Sequence, residues 1–113
     1  MIKEEVRKKI IKTSVSLANY GVNDFAWKKE DALECINMIM KDQIGILGGD
    51  VYKLTSNRLE PLYDNWLCEP TENETEEEYH LRSKSVSLRY IENYIVPPEE
   101  QIVFSITFTE RIE

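Results

Sequence analysis

Twice along this chain the spacing of apolar residues switches from a helical repeat to a strand-like one, and that pattern leaves few folds open. From Ile2 to Asn19, the residues Ile2, Val6, Ile10 and Leu17, with Ile11, Val15 and Ala18 beside them, follow helical spacing, with lysines and glutamates on the far side. Gly21 suits a left-handed cap and Asn23-Asp24 a turn. A second helix is expected from about Lys28 to Lys41, with Leu33, Ile36, Ile39 and Met40 on one face. The repeat then becomes that of a strand from Ile44 to Leu54. After the turn "TSNRLEP", the segment "LYDNWLCE" alternates Leu62, Asp64, Trp66 and Cys68 against Tyr63, Asn65 and Leu67. The two segments are expected to pair as an antiparallel hairpin.

Pro70 stops that strand. "TENETEEEY" carries two overlapping capping boxes, Thr71 with Glu74 and Thr75 with Glu78, and opens a third helix from about Glu74 to Ile95. Tyr79, Val86, Tyr90, Ile91, Tyr94 and Ile95 should face inward. Pro97 and Pro98 cannot extend a helix. The last segment, "QIVFSITFTE", sets Ile102, Phe104, Ile106 and Phe108 against Val103, Ser105, Thr107 and Thr109. The order α-α-β-β-α-β predicts one α+β domain over residues 1–113, with helices packed on an antiparallel sheet. A chain of this length buries roughly two-thirds of its unfolded surface, enough for one core without disulfides or metal.

One strand breaks its own rule. "ILGGDVYKL", Ile46 to Leu54, spends two of the chain's four glycines side by side and follows them with a carboxylate. Glycine weakens a strand unless its missing side chain is needed. Two needs fit: a β-bulge at Gly48-Gly49 that re-aims Asp50 and Tyr52, or room for an aromatic such as Trp66 to pack over the strand.

Charge and composition exclude several classes of function. Net charge is −7, and from Glu60 to Tyr79 there are eight acidic residues and no basic one, while the first helix is net positive. Such a surface repels nucleic acid and membrane surfaces and favours a basic protein partner. No apolar run approaches the ~20 residues of a membrane span. The charged, periodic "MIKEEVRKKI" does not read as a signal peptide, so the cytoplasm is the expected location. Cys35 and Cys68 lie far apart among apolar neighbours and read as core thiols.

Catalytic chemistry finds little support. His80 is the only histidine, beside Glu76 and Glu77, and reads as an exposed helix residue stabilised by carboxylates, because one histidine supplies too few ligands for a metal centre. GxSxG and phosphate-loop patterns are absent. Asp50 and Asp64, on paired strands, are the carboxylates best placed to come together, and with His80 they form the one conceivable metal-enzyme arrangement. No cofactor is expected. What remains is recognition: Tyr52, Tyr63 and Trp66 on the central hairpin, rimmed by carboxylates, have the composition of a protein-binding patch. Trp66 is open to two readings, core or surface.

Gly48-Gly49-Asp50-Val51-Tyr52, preceded by a helix with "DALECI" and followed by Asp64-Asn65-Trp66 in "YDNWLCE", then "SVSLRYIENY" and "FSITF", resembles the immunity protein 40 family of bacterial polymorphic toxin systems. The resemblance spans most of the chain after the first helix. It implies a non-enzymatic protein that binds and neutralises a toxin made beside it, with no catalytic residues and no cofactor. A nuclease, whose basic substrate groove would suit an acidic face, is one such toxin. The expected contact residues are Asp50, Tyr52, Tyr63, Asp64 and Trp66, with Glu76, Glu77 and Glu78 supplying charge and Gly48 and Gly49 shaping the strand. The alternatives are an adaptor or regulatory module using the same surface, or a small metal-dependent enzyme.

Overall fold

The computed structural model describes residues 2–22 and 24–112. The elements in order are α1 (Glu4–Thr13), β1 (Val15–Ser16), a single 3-10 turn (Ala18–Tyr20), β2 (Phe25–Lys28), α2 (Lys29–Met38), β3 (Ile46–Leu54), β4 (Leu59–Leu67), α3 (Glu76–Asn93) and β5 (Gln101–Phe108). All strands join one antiparallel sheet in the order β1-β2-β5-β3-β4. The α+β class, the β3–β4 hairpin and the final strand follow the sequence reading, but β1 and β2 are additions to it.

The first helix is shorter than its apolar spacing predicts. Thr13 and Ser14 end it: their hydroxyls donate to the carbonyls of Ile10 (3.1 Å) and Ile11 (2.5 Å), and Ser14 turns extended. Such local hydroxyl bonds compete with the next helical turn. The chain freed from the helix becomes β1 and the 3-10 turn, which Gly21 caps in the left-handed region (φ 78°). Gly21 therefore caps this turn rather than α1. Asn23, half of the expected turn, lies outside the described residues.

The main core lies between the helices and one face of the sheet. It gathers Ile10, Trp27, Ile36, Ile39, Val51, Trp66, Ile91 and Phe104. Trp27 anchors α1 by donating its indole N–H to the Ile10 carbonyl (2.9 Å). A smaller cluster on the opposite face, Leu17, Ala26, Leu54 and Val103, is roofed by the segment from Val15 to Val22.

Helix α3 starts at the Thr75–Glu78 capping box, with both reciprocal hydrogen bonds formed. Thr71 and Glu74 make their own bond one turn earlier (3.1 Å) without starting a helix. The buried stripe of α3 is largely polar. The Ser83 hydroxyl accepts the Ile46 N–H (3.0 Å), Ser87 accepts the Trp66 indole N–H (2.9 Å), and Lys84 donates to the carbonyls of Ile39 (3.0 Å) and Asp42 (2.7 Å). Burial pulls the Lys84 ammonium below its usual range, opposed by Asp42. His80, expected to be exposed, is 8% exposed, and Ile95, expected inside, is 86% exposed beyond the helix end. Both cysteines are free and buried, and burial pushes the Cys35 thiol up to about 12, far from reactivity.

Candidate partner-binding site

The two glycines of β3 serve different needs. Opposite β5 the register slips between Ile46 and Gly48, so β3 carries one extra residue there. Gly48 sits at φ 153°, a backbone region that side chains rarely adopt, and a Cβ on it would run into the Trp66 carbonyl oxygen. A Cβ on Gly49 would strike the Trp66 ring and the Ser105 carbonyl oxygen. The bulge therefore needs Gly48, and the close packing of Trp66 needs Gly49.

That packing fixes the faces. Trp66 pairs in register with Gly49, lies on the helix side, and stacks on Tyr90 with ring centroids 4.8 Å apart and planes inclined by 29°. It is 7% exposed, so the reading of Trp66 as a surface contact is corrected to a core role. Asp64 is exposed, also toward the helices, and accepts the Tyr94 hydroxyl (2.6 Å). Burial first, then this bond and the Asp64 charge, push the Tyr94 hydroxyl well above the ordinary phenol range.

Asp50 lies on the other face, in register with Asn65 and Ser105. The structure therefore separates Asp50 from Asp64 across the sheet, and His80 belongs to the helix layer with Glu76 Oε1 3.8 Å away. Among the described residues, no group of three or more His, Cys, Asp or Glu side chains could hold a metal ion. Tyr52 is half-buried against the Leu17 cluster, its hydroxyl pushed up by burial and by Asp50 and Asp24.

Edge strand β4 carries the most exposed apolar side chains of the sheet, Tyr63 at 86% and Leu67 at 72%. A second register irregularity lies between Asp50 and Tyr52 on the β4 side, and the extra β4 residues around Tyr63 fill it. Tyr63 has φ 62°, the one left-handed non-glycine among the described residues. Holding a tyrosine there costs roughly 1–2 kcal/mol, and such outliers concentrate at functional sites. Glu76, Glu77 and Glu78 are exposed in the first turn of α3, next to Tyr79, whose hydroxyl reaches the Cys68 carbonyl (2.8 Å). They thus flank the Leu67 end of β4, but from the helix layer.

Sequence reasoning missed Leu67, Asn65 and Thr107. These line a depression of about 340 Å³ over Gly48 and Asp50 on the outer face. Strand alternation groups Leu67 with Asn65 and would have found them had Gly48 been taken as their neighbour. A larger groove of about 560 Å³, between the exit of α2 and the start of α3, mixes Lys41 and Lys84 with Asp42, Glu76 and Glu77, so its charges largely cancel.

The chain matches the family model of immunity protein 40 over residues 16–108. It belongs to the immunity protein 40 family. The match begins within β1 and covers the whole sheet except its first residue, leaving α1 outside. No curated protein and no solved structure matches the chain. Membership makes the chain an immunity protein of a family that is not typically enzymatic. Among the described residues, no helix is long and apolar enough to cross a membrane.

Proposed function

We propose that this immunity protein binds and neutralises a cognate protein toxin through the bare end of its sheet, where Asp50, Tyr63 and Leu67 are exposed, with Glu76, Glu77 and Glu78 on its flank. Tyr63 carries the reading: an almost fully exposed aromatic, held in a costly backbone conformation on an edge strand, gains nothing for the folded monomer. Trp66 and Gly49 support this surface from beneath. The protein acts by occupancy rather than turnover, in the cytoplasm where toxin and immunity protein are made together. Its net charge of −7 suits a toxin with a basic working surface, a nuclease being the natural case.

Co-expression with the toxin encoded beside this gene tests the reading. Wild type should rescue growth and co-purify. Tyr63→Gly should lose protection while keeping or gaining stability, because glycine removes the left-handed penalty of roughly 1–2 kcal/mol for about 0.5–1 kcal/mol of chain entropy. Rescue by Tyr63→Gly at wild-type level would remove this surface from the account.

A further inference from the structure

We infer that the depression floored by Gly48 is a receptor for an arginine side chain of a protein partner; this rests on the proposed immunity function and specifies its contact chemistry. Two rows of residues cross the outer face. Leu67, Gly48 and Thr107 stand opposite one another on β4, β3 and β5, and Asn65, Asp50 and Ser105 form the next row. Opposed side chains on a sheet sit about 4.5–5.5 Å apart, so a glycine between two larger residues leaves a gap one side chain wide. The fold fixes that gap, because a Cβ at Gly48 would meet the Trp66 carbonyl oxygen.

The slot has an apolar wall and a charged end. Leu67 is exposed on one side, Thr107 stands on the other, and the floor is backbone. Two residues along β3, roughly 7 Å away, the exposed Asp50 carboxylate has no ion pair among the described residues, and the Asn65 amide stands opposite it. By contrast, Lys53 further along the same strand is already paired with Glu100 at 2.9 Å. An occupant needs an apolar stem and a cationic, multi-donor head. Arginine fits better than lysine, because its planar fork can serve a carboxylate and an amide oxygen together and is more easily stripped of water. One carboxylate is too few to hold a metal, and the negative surface opposes nucleic acid.

The test uses the full chain and the toxin domain encoded beside it, inactivated at its active site, with affinity read by calorimetry. Asp50→Asn and Thr107→Phe, which remove the charge and fill the slot, should each weaken binding by about tenfold or more with unchanged thermal unfolding, whereas Glu34→Gln on α2 should leave it unchanged. Within an alanine scan of the toxin's exposed arginines, one substitution should weaken binding to wild type yet add nothing against Asp50→Asn. Tight binding with both slot variants within about twofold of wild type would overturn the receptor while leaving the immunity reading intact. Coupling of Thr107→Phe only to an apolar toxin residue would overturn arginine as the occupant. A toxin domain that does not bind wild type at all would remove the immunity reading and the inference together.

Discussion

The outer face of the sheet is treated in two ways. Over β2, β5 and the far end of β3, the segment from Val15 to Val22 lays Leu17 onto Ala26, Leu54 and Val103 and seals them from water. Over the other end of β3, the neighbouring end of β5 and the later half of β4, the face is bare, with Leu67, Tyr63, Asn65, Asp50 and Thr107 exposed, whereas Leu59 at the start of β4 still packs on the sealed cluster. The sealed half follows the usual rule that a sheet face is either apolar and covered or polar and wet. The bare half obeys neither condition: it keeps large apolar groups in water around a glycine gap. On the proposed reading, the open half leaves these residues where an external protein can supply the roof.

The largest test of this contrast is Gly49→Val. The added side chain would collide with Trp66 and the Ser105 carbonyl, lifting Trp66 off Tyr90, and should cost about 3 kcal/mol or more in urea denaturation. A small cost would mean that the bare half is not rigidly supported from below. Next, Leu17→Ala, in the sealed half, should cost about 2–3 kcal/mol, since it removes a fully buried side chain. Leu67→Ala, in the bare half, should stay within about 0.5 kcal/mol of wild type. Equal losses at both positions would abolish the distinction between the halves.

The smallest expected effect concerns the rim. Arg82 ties the connector after β4 to α3: it pairs doubly with Glu74 (2.5 and 2.7 Å) and donates to the Glu69 carbonyl (2.8 Å) and the Cys68 sulfur (3.0 Å). The Arg82 hydrogen bonds hold the Glu74 carboxyl down to about 2 from its ordinary 4.5. A depressed folded-state pKa stabilises the protein fully above the unfolded value and loses that contribution as pH falls. The melting temperatures of wild type and Glu74→Gln should therefore differ at pH 7 and converge between about pH 4.5 and 2. A constant gap across that window would show that the pair does not titrate as described.

Long periodic segments were legible in the sequence. α3 and strand β5 repeat their pattern over eight residues or more, so period alone places them, whereas irregularities interrupt β3 and β4, and β4 starts at Leu59, inside the expected turn, rather than at Leu62. β2 was not legible: four residues give no period, and Ala26 and Trp27 are both fully buried because each side of the strand is covered. The over-long first helix came from Leu17 and Ala18, which fit helical spacing but lie beyond the hydroxyls that end it. Asp50 and Tyr63 are exposed, as their sequence positions suggested. The burial of Trp66 was not readable, because it depends on Tyr90 and Ser87, twenty-odd residues away. Ser83, Lys84 and Ser87 look like a solvent face until the backbone groups that satisfy them are in place.

Strand β5 is last among the five in sequence and central among them in space. During synthesis β2 and the β3–β4 hairpin have no common neighbour until Gln101–Phe108 emerges from the ribosome. At ribosomal speeds of ~5–20 residues per second, the hairpin waits roughly a few seconds with one long edge unpaired. A chain cut or stalled before Gln101 therefore holds the β3–β4 hairpin and the short β1–β2 pair with nothing to join them, rather than a smaller version of the domain. The molecule is completed in one late step, when its keystone arrives.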